Sequence, residues 1–242
     1  MTETAINDEQ VLELAKLGVL YGHKKSKTHP RMKPVIVDNK NEIELLDPEA
    51  VLDSLRIALD FLKEKASKGM LMFIVGTLPS AKEVVKSVAE ELKYPYVVSR
   101  WLGGTITNFD VIRKRESYYE SLKAKKASGE LSKYTKKEQS KFSEEISKLA
   151  KNFDGLANLT KRPDVLFVVD IKTHDTAVKE AKTAGIPIVA ILDTDDDPKL
   201  VNYPIFANDH GKGSVEWVME QVRTAVKEAT QAVKEVTQVV KL

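Results

Sequence analysis

The sequence predicts an α/β protein with a parallel β-sheet that is covered by helices on both faces. Three runs, at 70–75, 165–169 and 188–192, contain only apolar residues and are therefore typical of strands buried on both sides. Segments with apolar residues at helical spacing separate several of the predicted strands. Strands that alternate with helices in this way form right-handed crossover units, which place the strands parallel in one sheet.

The first fifty residues predict a helix, a basic loop and a β-hairpin. Apolar residues at helical spacing indicate a helix over 8–20. The segment 23–34 contains two prolines and five Lys or Arg residues and is expected to be a loop. Two short runs, at 35–37 and 43–46, flank a turn and are expected to pair as a hairpin. The Asp47-Pro48-Glu49 sequence then resembles a helix start, because proline is favoured at the first helical position.

The α/β body is expected to comprise residues 1–104, including a basic N-terminal extension, and residues 161–220. Glycines at 69 and 185 end two of its helices, since glycine readily adopts the left-handed conformation beyond a helix C-terminus. The expected helices cover 48–65, 79–93 and 174–184, and the expected strands cover 70–75, 96–98, 165–169, 188–192 and 205–207.

The alternation is interrupted at 105–160, which is rich in Lys, Glu and Ser and contains no proline. Two helical stripes of apolar residues flank the turn sequence Ser128-Gly129-Glu130, and Thr135 and Glu138 have capping-box spacing. We interpret this segment as a protruding antiparallel helical hairpin of the coiled-coil type. Two ordinary helices lying on the sheet are the alternative, which the low apolar content disfavours.

The C-terminal segment 221–242 repeats Val and Ala every seven residues, in TAVKEAT, QAVKEVT and QVVKL. This pattern predicts an amphipathic helix with a narrow apolar seam. The helix either docks on the body or stays frayed until a partner covers it.

Composition excludes several classes of protein. The chain has no cysteine, which excludes disulfide scaffolds, cysteine nucleophiles and cysteine-ligated zinc sites. No apolar run approaches the ~20 residues of a membrane span, and the segment MTETAINDEQ lacks the features of a signal peptide. We therefore expect a cytoplasmic protein without a membrane partner.

The small net charge of +2 conceals a strong asymmetry. Residues 16–40 carry seven Lys or Arg and one acid, and residues 100–162 also carry an excess of bases. Residues 193–220 carry seven acids and two lysines. Solvated faces explain any single charged run, but two basic blocks with intervening aromatic residues and glycines favour nucleic-acid binding.

Two segments are the candidate contacts to nucleic acid. The basic loop, in the sequence GHKKSKTHPRMKP, offers cations to backbone phosphates. The sequence RWLGGTITNF offers glycines for close backbone approach and polar side chains for phosphate or sugar, while its tryptophan either stacks on a base or fills the core. The glycine pair alternatively serves a tight turn. The candidate residues are His23, Lys24, Lys25, Lys27, His29, Arg31 and Lys33 in the first segment, and Arg100, Trp101, Gly103, Gly104, Thr105, Thr107 and Asn108 in the second.

An acidic cluster follows two of the predicted strands. Asp193 and Asp195 follow the strand at 188–192, and Asp209 follows the last strand. Carboxylates at the C-terminal ends of parallel strands lie where α/β proteins bind ligands, and they are candidates for a structural Mg²⁺. Capping of helices and turns is the alternative role. No catalytic motif is present, and no other cofactor is expected.

Five blocks in order make the chain resemble a known family. They are GHKKSKTHPRMKP, RWLGGTITNF, RPDVLFVVD, GIPIVAILDTDDDP and NYPIFANDHGKGS. Together they resemble the bacterial-type ribosomal small-subunit protein two, the S-two family. This resemblance implies a flavodoxin-like fold with a protruding helical hairpin. It also implies a ribosomal role: the chain would bind small-subunit rRNA, contact neighbouring small-subunit proteins and help to seat ribosomal protein S-one.

The leading hypothesis is therefore a non-enzymatic structural subunit of the ribosome that binds rRNA and supports translation. An α/β enzyme is the alternative, with a phosphosugar or nucleotide bound near Gly76-Thr77 or the Asp193–Asp197 cluster. A translation-linked scaffold that binds only proteins is a third possibility, and it predicts little dependence of binding on salt.

Overall fold

The structure, a computed structural model, describes residues 8–239. It contains one parallel sheet, one small antiparallel sheet and flanking helices. In chain order the elements are α1 (Asp8–Lys16), β1 (Tyr21–Lys24), β2 (Ile36–Lys40), β3 (Ile43–Leu46), α2 (Pro48–Ser67), β4 (Met72–Val75), α3 (Lys82–Leu92), β5 (Tyr96–Val97), α4 (Phe109–Ala127), α5 (Lys136–Phe153), β6 (Val165–Val169), α6 (Asp175–Thr183), β7 (Ile188–Leu192), β8 (Tyr203–Phe206) and α7 (Lys212–Val239).

The parallel sheet has the strand order β5-β4-β6-β7-β8. Strands β4, β6 and β7 are buried at every residue, as their apolar runs predict. Their side chains alternate between two cores, so that Ile74 and Phe167 face one layer while Phe73 and Leu166 face the other. The predicted α/β class with a parallel sheet and helices on both faces is confirmed.

Each face of the sheet is covered by a different set of helices. Buried residues of α1, α2, α3 and α7 belong to one core. Buried residues of α4, α5 and α6 belong to the other. The N-terminal end of α2 is capped by Asp47, whose carboxylate accepts a hydrogen bond from the Glu49 amide, and Gly69 follows its C-terminal end with a φ of +74°.

The predicted loop at 23–34 is wrong in part. Tyr21–Lys24 forms strand β1, which pairs with β3, and residues 25–27 and 30–35 form short 3₁₀ helices. Strands β2 and β3 form the predicted hairpin, with Asn41 and Glu42 at positive φ in its turn. The four residues YGHK carry no strand pattern of their own. They form a strand because they pair with β3, and the sequence does not show this pairing.

The inserted segment folds as two helices, α4 and α5, which contact each other. The Tyr118 hydroxyl donates a hydrogen bond to Glu145 at 3.1 Å across the pair. The predicted capping box at Thr135 and Glu138 is present at the start of α5. Tyr119, in the middle of α4, is 2% exposed and belongs to the same core as Phe73. The core of this helix pair is therefore continuous with that of the body.

The C-terminal helix docks on the body, which was one of the two expectations. Helix α7 begins at Lys212, so the expected boundary at residue 221 falls inside it. Val218, Val222 and Val226 are buried, and the helix packs on α2 and α3. Residues 1–7 and 240–242, which the predicted segments include, lie outside the described residues. Within the described residues, no helix has both the length and the apolar character needed to cross a membrane.

Candidate nucleic-acid interface

The segment 21–35, which we call the basic extension, is held against the loop that follows β7. The His23 amide donates to Thr194 Oγ1 at 2.8 Å, and the His29 amide donates to the Thr194 carbonyl at 2.9 Å. A Cβ at Gly22 would collide with the Thr194 side chain, so only glycine permits this approach. Met32 anchors the segment in the core with no exposed surface. The extension is therefore a docked element rather than a free arm.

Docking leaves the lysines of the extension in solvent. The Arg31 guanidinium pairs with Asp197 at 2.5 Å and holds the pKa of that carboxyl below its usual range. His29 Nδ1 accepts from the Arg31 amide at 3.3 Å. In the described part of the chain, no acidic side chain lies within ion-pair distance of the four exposed lysines, which are Lys24, Lys25, Lys27 and Lys33.

The second candidate segment, residues 100–108, which we call the glycine loop, is wrapped around one carboxylate. Glu180 on α6 accepts from Trp101 Nε1 at 3.0 Å and from the Gly104 amide at 2.8 Å through Oε1. Its Oε2 accepts from the Ile106 amide at 3.0 Å and from the amide and hydroxyl of Thr107 at 3.1 Å. One buried side chain thus receives five hydrogen bonds and determines the path of the loop.

The charge on Glu180 follows from this environment. Burial alone would raise the pKa of the carboxyl, but the hydrogen bonds from Trp101 and the loop amides outweigh burial and lower the pKa. Glu180 is therefore ionised at neutral pH, and its hydrogen bonds are charge-assisted. Sequence reasoning did not identify this residue.

The glycine loop buries several residues that were candidates for RNA contact. Trp101 is 9% exposed and packs on Phe73, with ring centroids 5.3 Å apart, so it takes the core role and not the base-stacking role. Thr105 is 1% exposed and its hydroxyl donates to the Leu102 carbonyl at 2.6 Å. Both side chains are therefore internal supports of the loop in this structure.

The exposed part of the loop is smaller. Arg100, Gly103, Thr107 and Asn108 are exposed, although the Thr107 hydroxyl is occupied by Glu180. Gly104 has a φ of +90°, and a Cβ there would lie 3.0 Å from the Asn108 Cβ. The tight-turn role therefore holds for Gly104, whereas a Cβ at Gly103 would meet open space.

The acidic residues converge at the carboxyl ends of β6, β7 and β8. Asp193 and Asp209, both candidates for a cation, are buried there with Asp170 and Asp196. Burial and the nearby Asp209 raise the pKa of Asp196 to about 8, and burial raises the pKa of Asp209 to about 6. Asp195, the third candidate, pairs with Lys172.

Two histidines from other parts of the chain reach this acidic cluster. His23 Nδ1 lies 3.0 Å from Asp193 Oδ2, and His210 Nδ1 lies 2.5 Å from Asp209 Oδ1. The Asp193 carboxylate raises the pKa of His23, and the hydrogen bond to Asp209 raises the pKa of His210 to about 9. The predicted acidic cluster and the basic extension, which are distant in sequence, are thus one structural unit.

The alternative enzymatic site at Gly76-Thr77 is occupied by internal contacts. His174 is 2% exposed, its Nδ1 donates to the Asp170 carbonyl at 2.7 Å, and its Nε2 then accepts from the Thr77 hydroxyl at 3.0 Å. Burial lowers the pKa of His174, which keeps the ring neutral. A Cβ at Gly76 would lie 2.9 Å from Val85. The glycine and threonine therefore serve packing between β4, α3 and α6.

The chain is similar to proteins of one known family. The family model described as ribosomal protein S2 matches residues 14–229. Three relatives are each described as small ribosomal subunit protein uS2. The protein from Dictyoglomus thermophilum is 39% identical over 89% of this chain and 88% of its own length. The protein from Rhodopirellula baltica is 40% identical over 90% of this chain and 84% of its own length. The protein from Fusobacterium nucleatum is 39% identical over 90% of this chain and 89% of its own length. The chain belongs to the ribosomal protein S2 family.

Proposed function

We propose that the chain binds small-subunit rRNA through the lysines of the basic extension and the exposed part of the glycine loop. Membership of its family makes it a ribosomal, non-enzymatic protein of the translation apparatus. The observation that carries the finer proposal is a set of four exposed lysines on a docked segment, for which residues 8–239 provide no acidic partner. A docked segment loses little conformational entropy on binding, so its charges are well placed for phosphates.

Within this proposal the two candidate segments have different roles. Lys24, Lys25, Lys27 and Lys33 contact phosphates as point charges. Arg100 and Asn108 contact phosphate or sugar from the glycine loop, with Gly103 allowing close approach of the RNA backbone. Arg31 and His23 hold the extension in place and are not counted among the direct contacts.

We also propose a shape for the inserted segment and a set of protein partners. The helices α4 and α5 form a protruding coiled-coil hairpin from residues 105–160, residues 1–104 and 161–220 form the body, and residues 221–242 belong to the amphipathic helix. Neighbouring small-subunit proteins, with ribosomal protein S-one among them, are the proposed protein partners. The cytoplasmic ribosome is the proposed site of action.

Converting Lys24, Lys25 and Lys27 to Ala tests the rRNA proposal. Each lost phosphate contact should lower the slope of log affinity against log salt by about 0.7–0.9, because fewer counterions are released on binding. The measurement is a filter-binding titration against small-subunit rRNA at several salt concentrations, with co-sedimentation on ribosomal particles at low and high salt.

A matched triple variant provides the control for this test. Lys63 on α2, Lys68 directly after α2 and Lys86 on α3 are exposed. Their conversion to Ala makes the same change in net charge. This control should retain the wild-type salt slope. An equal loss of slope in both triple variants would indicate a general charge effect and contradict the proposed contacts.

A further inference from the structure

A groove lies between the C-terminal end of α6 and the segment that leads into β8. It is lined by residues 182, 185–187 and 199–202 and has a volume of about 260 Å³. These residues end α6 or directly precede β7 and β8, so we call it the amino-edge groove. We propose that it binds an acidic segment of a neighbouring protein, in which an aliphatic side chain lies between two carboxylates.

The amino-edge groove is separate from the basic extension. The extension contacts Thr194, which follows β7, whereas the groove residues come before β7 and β8. Because these strands are parallel, residues before and after them lie at opposite edges of the sheet. The proposal rests on the protein partners proposed above and is independent of the rRNA contacts of the extension.

Hydrogen bonds fix both walls of the groove. The Asn202 amide donates to the Ile188 carbonyl at 3.0 Å, and Asn202 Oδ1 accepts from the Ile188 amide at 2.9 Å. On the other wall, the Ile186 amide donates to the Ala181 carbonyl at 2.9 Å. The groove is therefore formed before a partner binds, which limits the conformational entropy lost on binding.

The floor of the groove is aliphatic. Ile186 is 9% exposed and belongs to the core beneath α6, and Val201 packs against the same core. Leu200 remains 36% exposed, so a large apolar side chain is left at the surface. A partner's aliphatic side chain would remove this apolar area from water.

The rim of the groove carries hydrogen-bond donors and positive charge. Lys182 and Lys199 are exposed, and neither forms an ion pair with a residue in the range 8–239. Because Asn202 Oδ1 faces the Ile188 amide, its Nδ2 group is the part of that side chain left for a ligand. None of the residues that line the groove is acidic. Carboxylates on the partner would complement this rim.

The same features favour a protein partner over RNA. Single-stranded RNA is held by stacking on aromatic or Arg side chains along a track of cations. The groove offers two lysines, and its lining residues include no aromatic or Arg side chain. Its volume of about 260 Å³ is below the ~300–1,000 Å³ of sites for small molecules, so it suits a side chain better than a nucleotide.

A peptide titration of the full chain tests the proposal. The probe is Gly-Glu-Leu-Glu-Gly, acetylated and amidated so that its only carboxylates are the two Glu side chains. Nuclear magnetic resonance of the ¹⁵N-labelled protein should show saturable shifts confined to amides of residues 182–187 and 199–202. The peptide with Gln in place of both Glu should bind about 5-fold more weakly, and the peptide with Ser in place of Leu about 10-fold more weakly.

Two lysine variants separate the groove from a general charge effect. Changing both Lys182 and Lys199 to Ala should weaken peptide binding about 5-fold, because two exposed ion pairs are lost. The triple variant of Lys24, Lys25 and Lys27 is the control. It removes more charge from the other edge of the sheet and should bind the peptide as the wild type does.

Several results would overturn the proposal. They are an absence of saturable shifts in the wild type, equal binding of the Gln peptide, or an equal loss of binding in the triple lysine variant. Stronger shifts of the groove amides with a uridine decanucleotide than with the peptide would assign the groove to RNA instead. The amide spectrum also shows whether each variant is folded, and should the double variant fail to fold, the three peptides on the wild type decide the question. An unchanged salt slope in the triple variant would contradict the rRNA contacts alone and leave the peptide result as it stands.

Discussion

The basic extension and the glycine loop are similar in sequence character but opposite in structure. Both combine Lys or Arg with glycine and polar residues. In the extension, backbone and imidazole groups face the body while four lysines point to solvent. In the glycine loop, the amides, one hydroxyl and the indole turn inward to Glu180, which leaves Arg100, Gly103 and Asn108 at the surface. The inward partner of each segment therefore decides which of its groups are free to bind.

Glycine has two different structural roles in these segments. Gly22 permits close approach between two parts of the same chain. Gly104 adopts a φ of +90° that a side chain would strain. The two segments contain three glycines, Gly22, Gly103 and Gly104, and only Gly103 is exposed with open space beside it. Gly103 is therefore the glycine that we propose allows close approach to RNA.

Replacing Glu180 with Ala should have the largest effect on this comparison. The change leaves five donors of the glycine loop without their acceptor, which should cost about 3 kcal/mol of unfolding free energy. The thermal midpoint should fall by roughly 6–12 °C. Calorimetry measures the midpoint, and filter binding should show weaker rRNA affinity because Arg100 and Asn108 lose their positions.

Lys179→Ala on the same helix is the control for the Glu180 variant. Lys179 is exposed and pairs only with Asp175 within the described residues, so its loss should change stability by less than ~0.5 kcal/mol. A Glu180→Ala protein with an unchanged midpoint would show that the loop does not depend on this carboxylate.

The two adjacent glycines should separate folding from binding. Gly104→Ala should destabilise the protein by about 1–2 kcal/mol, because alanine at positive φ is strained and its Cβ would press on Asn108. Gly103→Ala should leave the thermal midpoint nearly unchanged, because its Cβ meets open space, but it should reduce rRNA affinity. The measurements are thermal unfolding and filter binding on both variants.

Each outcome for Gly103 has a definite meaning. A stable Gly103→Ala protein with wild-type rRNA affinity would remove the glycine loop backbone from the proposed interface. A stable protein with reduced affinity and a normal salt slope would support close approach of the backbone, because no charge has been lost.

Local signals predict much of the fold. The apolar runs of β4, β6 and β7, the cap at Asp47 and the capping box at Thr135 are encoded within a few residues, and all appear in the structure. The candidate site depends instead on partners far apart in sequence. His23 and Asp193 are separated by most of the chain, so no local pattern brings them together.

The sequence around Glu180 gives only a weak indication that this side chain is buried. It lies three residues after Ala177 and directly before Ala181, both of which are buried. A charged residue among the apolar positions of a short helix is either partly exposed or satisfied by buried donors. The sequence alone does not distinguish these cases, because the donors are the amides of a loop some 75 residues away.

The smallest predicted effect is the pH dependence of the Glu180 contribution. Its pKa in the folded protein is lowered below the ordinary value near ~4.3, so the unfolded chain binds a proton more readily than the folded one. The stabilisation is therefore complete above about pH 5 and is lost as the pH falls through the folded pKa.

In Glu180→Gln the group cannot titrate, and the amide NH₂ faces donors such as the Thr107 amide. The difference in unfolding free energy between the wild type and this variant should be largest at pH 7 and should shrink in acid, as urea denaturation at pH 7, 4 and 3 would measure. A difference that stays constant over this range would mean that the charge on Glu180 contributes nothing beyond its shape.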